Sequence, residues 1–460
     1  MKQKINRRFI YFICCVSAMG GLLFGYDWVV IGGAKPFYEA FFGIEADPAM
    51  QGLAMSIAIA GCLVGAMVAG FFADLFGRKP LLLFSAIVFL ISAYLTGAVD
   101  TFVPFLTARL IGGVAIGVAS GMSPMYIAEV SPSETRGRMV SINQMTIVLG
   151  ILAAQIVNWL IAEPIPQGLD LPPVQSWNCQ WGWRWMFWAE AFPAVVFLLL
   201  AFFIPESPRW LMGKGQKEMA TDVFRHIGGE EYAYVEIKAI QEADSDSAEK
   251  GSLLALFRKP YLSLIVLGVV IAVFQQWCGT NVIFNYAQEI FANAGYDLGE
   301  MLFNIVLTGI TNVVFTFVAL YTVDRIGRRK LMLLGSGGLF AIYLILGSCY
   351  FFEVSGILMV ILVMLAIACY AMTLGPVTWV LLSEIFPNRF RGVAMAVCTF
   401  ALWSGCFTLT YSFPILNASL GSFGTFWLYS AICLVGFLYF RKRLPETKGR
   451  TLEEIEKDII

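Results

Sequence analysis

The sequence has 460 residues, of which 58% are apolar, 15% aromatic and only 14% charged, and its mean hydropathy is +0.74. Soluble globular domains contain about 25% charged residues, so this composition predicts a membrane protein and excludes a secreted one. The 31 basic and 32 acidic residues give a formal charge of −1, which excludes the basic surplus that a nucleic-acid-binding protein needs.

Apolar stretches bounded by charged or turn residues predict twelve membrane-spanning helices in two sets of six. Each spanning helix needs about 20 residues, which leaves room for short loops and one modest insert. The first apolar run has no small-residue cleavage site, which favours an uncleaved helix over a signal peptide. The predicted spans are residues 9–33, 50–73, 80–98, 101–123, 139–162, 183–204, 260–291, 299–322, 330–352, 355–382, 392–415 and 422–440.

A charged segment separates the sixth predicted span from the seventh. Its apolar residues recur at spacings of three and four, which predicts short amphipathic helices on a membrane face. We therefore expect an all-α membrane protein of two six-helix bundles with a short cytoplasmic helical insert. The predicted domains are an N-terminal bundle at 1–204, a cytoplasmic linker at 205–259, a C-terminal bundle at 260–441 and a cytoplasmic tail at 442–460.

The positions of lysine and arginine predict the orientation of the chain. Nearly all of them fall in the N-terminal segment, the loops after even-numbered spans, the central insert and the tail. Cytoplasmic loops close to spans contain the excess of basic residues. We therefore expect a multi-pass protein with both termini in the cytoplasm.

Three pairs of loop motifs repeat between the two sets of spans. DLFGRKP matches DRIGRRK, YIAEVSPSETRG matches LLSEIFPNRFRG, and PESPRW matches PETKGR. These pairs indicate a duplicated six-helix unit, a design in which the substrate site lies near the membrane midplane between the repeats.

The repeated motifs place acidic residues close to arginines at the cytoplasmic ends of helices. Such pairs can lock two helices together in one state and separate in another, which predicts a gate. The alternative is that the basic residues only anchor the topology. The candidate gating residues are Asp74, Arg78, Glu129, Arg136, Asp324, Arg328, Glu384 and Arg391.

Three ionisable residues fall at a similar depth inside predicted spans of the first set. They are Asp27, Arg109 and Glu190. Ionisable groups inside a membrane are costly and are functional candidates by default. An arginine that approaches and leaves an aspartate would control whether that carboxylate holds a proton, which predicts a proton-coupling device. The alternatives are a permanent structural ion pair and, for Glu190, an ordinary carboxylate at the outer rim.

Carboxamide side chains are concentrated in the seventh predicted span, which Gly279 interrupts. Carboxamides both donate and accept hydrogen bonds, and a tryptophan face can pack against a sugar ring, so this set suits a polyhydroxylated neutral ligand. Interhelical hydrogen bonds are the alternative. No cofactor or metal ion is expected, because metal-ligand spacing and nucleotide-binding loops are absent from the sequence. The candidate polar residues are Gln144, Gln275, Gln276, Asn281, Asn312 and Trp379.

Nine motifs along the chain carry a family resemblance. They are GGLLFGYD, DLFGRKP, RLIGG, SPMYIAE, PESPRWL, FQQWCGTN, DRIGRRK, GPVTWVLLSEIFPNRFRG and PETKGRTLEEIE. Over essentially its whole length the sequence resembles the sugar porters of the major facilitator superfamily, and most of all their bacterial proton symporters for D-xylose. This resemblance implies a plasma-membrane protein, in bacteria a protein of the inner membrane.

The resemblance also implies roles for individual residues. Asp27 falls where the proton symporters have aspartate and the facilitators have asparagine, Arg109 matches an arginine of the fourth span, and Glu190 matches a carboxylate linked to coupling. Asn285 and Leu402 depart from the xylose symporters, which have tyrosine and glutamine there. The positions that match the sugar-binding site are Gln144, Gln275, Gln276, Asn281 and Trp379, with Phe24, Asn312 and Gly375 lining the same cavity.

We therefore expect a proton-coupled importer of a pentose or hexose that works by alternating access, with a monosaccharide, protons and the lipid bilayer as its partners. We also expect it to function as a monomer. A facilitative uniporter of the same fold and a non-transporting sugar sensor are the alternatives. A membrane-embedded enzyme is not expected, because the sequence contains no nucleophile–base or metal constellation.

Overall fold

The computed structural model describes residues 5–132, 134–163, 173–246, 261–386 and 391–447, and within these ranges it contains helices and no strands. The helices of the first half of the chain are α1 (Arg7–Phe42), α2 (Pro48–Phe76), α3 (Arg78–Ala98), α4 (Phe102–Val130), α5 (Arg136–Ile161), α6 (Trp183–Trp188) and α7 (Ala191–Ala201). A π-helical turn at Asn178–Gly182 precedes α6.

Two helices follow the first six spans, where the sequence predicts an amphipathic insert. They are α8 (Pro208–Gly213) and α9 (Lys217–Asp246), and Gly229 breaks the second of them with a φ of 84°. The helical character of the insert is confirmed. Residues 247–260 lie outside the described part of the chain.

The second half of the chain supplies the remaining helices, several of which are short segments of one span. Asp297 and Glu300 form a reciprocal capping box at the start of one of them, α13, which satisfies backbone donors that a helix start leaves unpaired. The helices are α10 (Leu262–Trp277), α11 (Thr280–Asn285), α12 (Ala287–Asn293), α13 (Leu298–Ile326), α14 (Arg328–Phe351), α15 (Ile357–Met372), α16 (Leu374–Glu384) and α17 (Arg391–Arg443).

Within the described residues, eleven helical stretches are long and apolar enough to cross a membrane. The last of them, α17, is 53 residues long, and at Gly421 its backbone leaves the helical region with a φ of 68°. Only glycine adopts this conformation readily, so the break separates the eleventh predicted span from the twelfth. The twelve predicted spans are therefore all present.

The first helix is longer than the sequence predicts. Its predicted end was residue 33, whereas α1 continues through Pro36 to Phe42. Lys35 lies just beyond the predicted end, where a charge usually closes a span, but here Lys35 and Glu39 are both buried and paired with each other. Asp27 consequently lies near the middle of α1.

The chain folds into two compact units, each made of segments that are separated in the sequence. The first comprises Met1–Trp28, Gly61–Ile151 and Phe187–Lys250, and the second comprises Val29–Ala60, Leu152–Met186 and Gly251–Ile460. The first unit contains the three intramembrane charges Asp27, Arg109 and Glu190. The second contains the carboxamide cluster of the seventh span. The sequence-based domain boundaries remain a prediction.

Candidate functional site

Asp27 and Arg109 form a buried ion pair in the first unit. The guanidinium of Arg109 donates through Nη1 to Asp27 Oδ1 and through Nη2 to the backbone oxygen of Asp27 at 3.3 Å. Each residue is 2% exposed. The ring of Phe187 covers the pair, with its centroid 5.3 Å from Arg109 Cζ. The pair is thus enclosed by protein and strongly bound.

The second oxygen of Asp27 differs from the first. Asp27 Oδ2 is buried and accepts no hydrogen bond from the described residues. It lies close to Gly112, since a Cβ built there would be 3.4 Å from this oxygen and 2.4 Å from Ser92 Oγ. The two oxygens of this carboxylate therefore have different surroundings, because only Oδ1 accepts from the arginine side chain.

Glu190 is a second carboxylate beside this pair. It is 2% exposed, and it lies close enough to Asp27 and Arg109 to interact electrostatically with both. It occupies the interruption between α6 and α7, where the chain makes a turn inside the sixth span. The three charges predicted from the sequence are therefore brought together as one arginine with two carboxylates.

Close packing of α1 against α5 fixes the helix that carries Asp27. A Cβ built on Gly25 would lie 1.9 Å from the backbone oxygen of Ile147, and one on Gly150 would lie 2.0 Å from that of Leu22. Only glycine leaves room for backbones to approach this closely. Two residues before Asp27, the helix therefore has little freedom to shift.

The carboxamides of the seventh span form one hydrogen-bonded chain in the second unit. Asn281 donates to Gln276, Gln276 Nε2 donates to Gln275 Oε1 at 2.5 Å, and Gln275 Nε2 donates to the hydroxyl of Tyr370 at 2.9 Å. Asn281 Nδ2 also lies 3.7 Å from the sulfur of Cys406. The left-handed Gly279 (φ 86°) ends α10 and lets Asn281 turn back towards the glutamines. The predicted amide cluster thus exists.

The other predicted sugar-site residues differ in how far they are buried. Gly375 lies beside the amide chain, because a Cβ built on it would approach the ring of Tyr370 at 3.4 Å. Asn312 is buried and Trp379 is 39% exposed. In the first unit, Gln144 is exposed, and Phe24 is half-buried with its ring edge-to-face against Trp28.

The loop motifs of the first unit build a polar cluster at the start of α3. Arg78 donates to Glu129 at 2.9 Å and to the backbone oxygen of Ala73 at 3.0 Å. Ser207 Oγ donates to the other oxygen of Glu129. Glu206 accepts the backbone N–H groups of Arg78 and Lys79 at 3.0 and 3.2 Å. Both carboxylates therefore bind groups on neighbouring helices.

Burial raises the pKa of Glu206 above its ordinary value, although the N–H donors of Ser207, Arg78 and Lys79 oppose this shift. The carboxylate also explains Gly77, which has a φ of 101° and a Cβ position only 2.3 Å from Glu206 Oε2. A side chain at position 77 would collide with the group that caps α3.

The second unit repeats this cluster at the start of α14. Arg328 donates to Glu384 at 3.1 Å and to the backbone oxygen of Val323 at 3.4 Å. Thr447 Oγ1 donates to the other oxygen of Glu384 at 2.6 Å. Glu446 accepts the backbone N–H of Arg328 at 3.0 Å. The predicted duplication is thus present down to individual hydrogen bonds.

The remaining candidate gating residues are not part of these two hydrogen-bonded clusters, or their side chains are not described. Asp74 is 3.6 Å from Arg78 but 85% exposed, so it contributes little to the pair. Arg136 begins α5 and lies close enough to Tyr232 of α9 to interact electrostatically with it. The side chains of Asp324 and Arg391 lie outside the described part of the structure.

Several residues that contact the candidate sites do not stand out in the sequence. Tyr370 and Cys406 touch the amide chain from other helices, so nothing in the local sequence marks them. Glu206 and Glu446 could have been found, because they occupy the same place in the repeated motifs PESPRW and PETKGR. The spacing of Lys35 and Glu39, one helical turn apart, could have indicated a buried pair.

The sequence profile described as "Sugar (and other) transporter" matches residues 13–459. The D-xylose-proton symporter of Escherichia coli is 35% identical, covering 99% of this chain and 97% of its own. The arabinose-proton symporter of Bacillus subtilis is 35% identical, covering 98% and 95%. The structure is similar to the inward-open conformation of the E. coli xylose transporter, with a TM-score of 0.86 and 33% identity over 98% of this chain and 100% of that one.

Proposed function

Because this chain belongs to the sugar (and other) transporter family, we propose that it imports a neutral monosaccharide, a pentose or hexose similar to xylose, together with a proton. The fold class is that of the major facilitator superfamily, as predicted, and the protein spans a membrane. The observation that carries the proton coupling is the buried cluster of Arg109 with Asp27 and Glu190.

The proton binds at Asp27 in this proposal. Arg109 holds one oxygen of Asp27, and Oδ2 is the atom without a partner among the described residues. A proton on Asp27 weakens its bond to the guanidinium, because a neutral carboxyl attracts an arginine less than a carboxylate does. Arg109 then turns to Glu190, which supplies the negative charge that a buried guanidinium requires. Proton binding thereby changes which helices Arg109 holds together.

The amide chain is the sugar-binding element of the proposal. A sugar hydroxyl both donates and accepts, as do the carboxamides of Gln275, Gln276 and Asn281. These amides satisfy one another in the structure, so a sugar can exchange with these bonds without leaving a buried polar group unpaired. Asn312, Gly375 and Trp379 are the further proposed sugar-binding residues of the second unit, and Gln144 and Phe24 are those proposed in the first unit.

The two loop clusters are the proposed cytoplasmic gate. Arg78 with Glu129 and Arg328 with Glu384 tie neighbouring helices within each unit. Their position on the cytoplasmic side, with both termini, follows from the distribution of basic residues. We further propose that the protein works as a monomer in the plasma membrane.

The test uses purified protein in liposomes. Uptake of labelled D-xylose, L-arabinose and D-glucose is measured with and without an inward proton gradient, for wild type and for Asp27→Asn. We expect at least one sugar to accumulate only under the gradient. Asp27→Asn is expected to lose accumulation but to keep exchange of sugar at equal concentrations.

The matched control is Asp222→Asn, which changes an exposed aspartate of α9 and is expected to behave as wild type. If wild type only equilibrates sugar and ignores the gradient, the protein is a uniporter. If wild type moves none of these sugars although it binds one, the sensor alternative replaces transport.

A further inference from the structure

A second buried charge cluster lies in the other unit. Lys35 Nζ is 3.0 Å from Glu39 Oε1 and also donates to Glu289, and its side chain is 5% exposed. Glu39 is 6% exposed and belongs to the same helix, one turn further along α1. Glu289 belongs to α12 and is 26% exposed. The lysine therefore binds one carboxylate on its own helix and one on a different helix.

Other contacts hold the same two helices together. Gln288 Nε2 donates to the backbone oxygen of Gly33 at 2.8 Å. A Cβ built on Gly32 would lie 3.0 Å from the backbone oxygen of Asn285, so the backbones nearly touch. Lys35 Nζ also lies 5.5 Å from the ring centroid of Tyr286. The Lys35–Glu289 ion pair is the charged part of a close interface between α1 and the segment formed by the end of α11 and α12.

Because Lys35 has two carboxylate partners, the contact between the helices can break while Lys35 remains paired. A buried lysine that loses its only partner is strongly destabilising. Lys35 keeps Glu39 when α12 moves away, because both residues are fixed on α1. Glu289 is already partly exposed and can be hydrated. Separation of α12 from α1 therefore leaves no buried charge without a partner.

We propose that the Lys35–Glu289 ion pair is a latch that holds α12 against α1 and opens once in each transport cycle, with Glu39 as the permanent counter-ion of Lys35. This proposal rests on the transport function proposed above, because only a carrier that changes conformation needs the pair to open. All three are positioning residues. They act through α12, which continues the segment that carries Asn281.

Two substitutions separate the latch from a fixed structural cluster. Glu289→Gln removes the bond between the helices and leaves the neutral pair Lys35–Glu39. Glu39→Gln removes the permanent counter-ion and leaves Glu289 as the only partner of Lys35. Each variant retains one ammonium and one carboxylate, so neither leaves a buried charge unpaired. The latch predicts opposite effects from the two variants.

The measurement is hydrogen–deuterium exchange of residues 280–293 in sugar-free protein in nanodiscs. We expect Glu289→Gln to raise the exchange rate of this segment on the order of fivefold, the effect of losing one partly exposed ion pair. Glu39→Gln should lower the rate by a similar factor. Lys35→Arg, which retains the charge, should exchange as wild type does.

The latch is overturned if both glutamine variants raise exchange, which is the behaviour of a fixed cluster, or if neither changes it. Should Glu39→Gln fail to fold, Glu39→Asp replaces it, since a shorter carboxylate reaches Lys35 less well and should lower exchange in the same direction. Exchange needs no sugar, so these results stand apart from wild-type uptake, which tests the transport function itself. In uptake, Glu39→Gln should lower kcat by a similar factor at unchanged KM.

Discussion

Arg78 binds Glu129 at 2.9 Å between the start of α3 and the end of α4, and Arg328 binds Glu384 at 3.1 Å between the corresponding helices of the second repeat. In both places the second carboxylate oxygen accepts a hydroxyl that lies just beyond the last span of the repeat. The motifs therefore preserve a complete hydrogen-bond arrangement and not only a charge.

Glu129→Gln should destabilise the protein by about 1–3 kcal/mol, because Arg78 is partly buried and loses its charged acceptor. Glu384→Gln should have a similar effect through Arg328. The measurement is thermal unfolding of purified protein in detergent. A second change, Ser207→Ala, should add less to Glu129→Gln than it costs alone, because both act on the same carboxylate.

The exposed Glu218→Gln of α9 is the control and should leave the unfolding temperature unchanged. Wild-type stability in Glu129→Gln would mean that the ion pair anchors topology without holding α3 to α4.

Tyr370→Phe should raise KM for the transported sugar about 2- to 10-fold, the loss of one hydrogen bond, with kcat little changed. The reason is that Gln275 loses its acceptor and with it a fixed orientation towards the other amides. Cys406→Ala is the matched change at the opposite end of the hydrogen-bonded amide chain. It should have a smaller effect, because a thiol 3.7 Å from Asn281 Nδ2 is a weak acceptor. Initial uptake rates over a range of sugar concentrations measure both. Equal effects of the two variants would contradict the proposed role of Tyr370.

Gly25→Ala should prevent the correct packing of α1 against α5. The added methyl group would lie 1.9 Å from a backbone oxygen, and a backbone cannot move aside as a side-chain tip can. Overpacking costs about 1–3 kcal/mol in well-packed interiors, and this contact is at the severe end. The yield of monodisperse protein on size-exclusion chromatography should fall sharply. Gly121→Ala, where nothing lies within 4 Å of the added Cβ, should express normally.

Glu190→Gln should reduce proton-driven accumulation about tenfold or more, a factor that corresponds to roughly 1.4 kcal/mol. Once Asp27 is protonated, Arg109 needs Glu190 as its counter-ion, and an amide cannot supply that charge. Exchange of sugar at equal concentrations should persist, as for Asp27→Asn. The ratio of accumulation to exchange in the same liposomes is the measurement. A variant that accumulates sugar as wild type does would remove Glu190 from the coupling device.

The sequence predicted the spans well because hydropathy and loop charge are local properties that the membrane enforces on each segment. It failed at the end of α1, where Lys35 resembled the boundary of a span. Two carboxylates allow this lysine to be buried: Glu39, one turn along the same helix, and Glu289, far along the chain. The pair with Glu289 can be recognised only when the contacts between helices are known.

The same distinction explains the candidate sites. Asp27, Arg109 and Glu190 stood out because each is an isolated charge in an apolar run, and the structure joins them. Gln275, Gln276 and Asn281 stood out as a local cluster. Tyr370 was not predicted, because a tyrosine in an apolar span is common and only its contact with Gln275 distinguishes it.

The carboxylate caps of α3 and α14 also constrain how the protein is made. Glu206 reaches the backbone of Arg78 across 128 residues, and Glu446 reaches Arg328 across 118. In each repeat the cap comes from the segment just after the last span, so the ribosome must complete all six spans before the start of α3 or α14 is satisfied. The backbone cap of each repeat is therefore supplied by that repeat's own final segment.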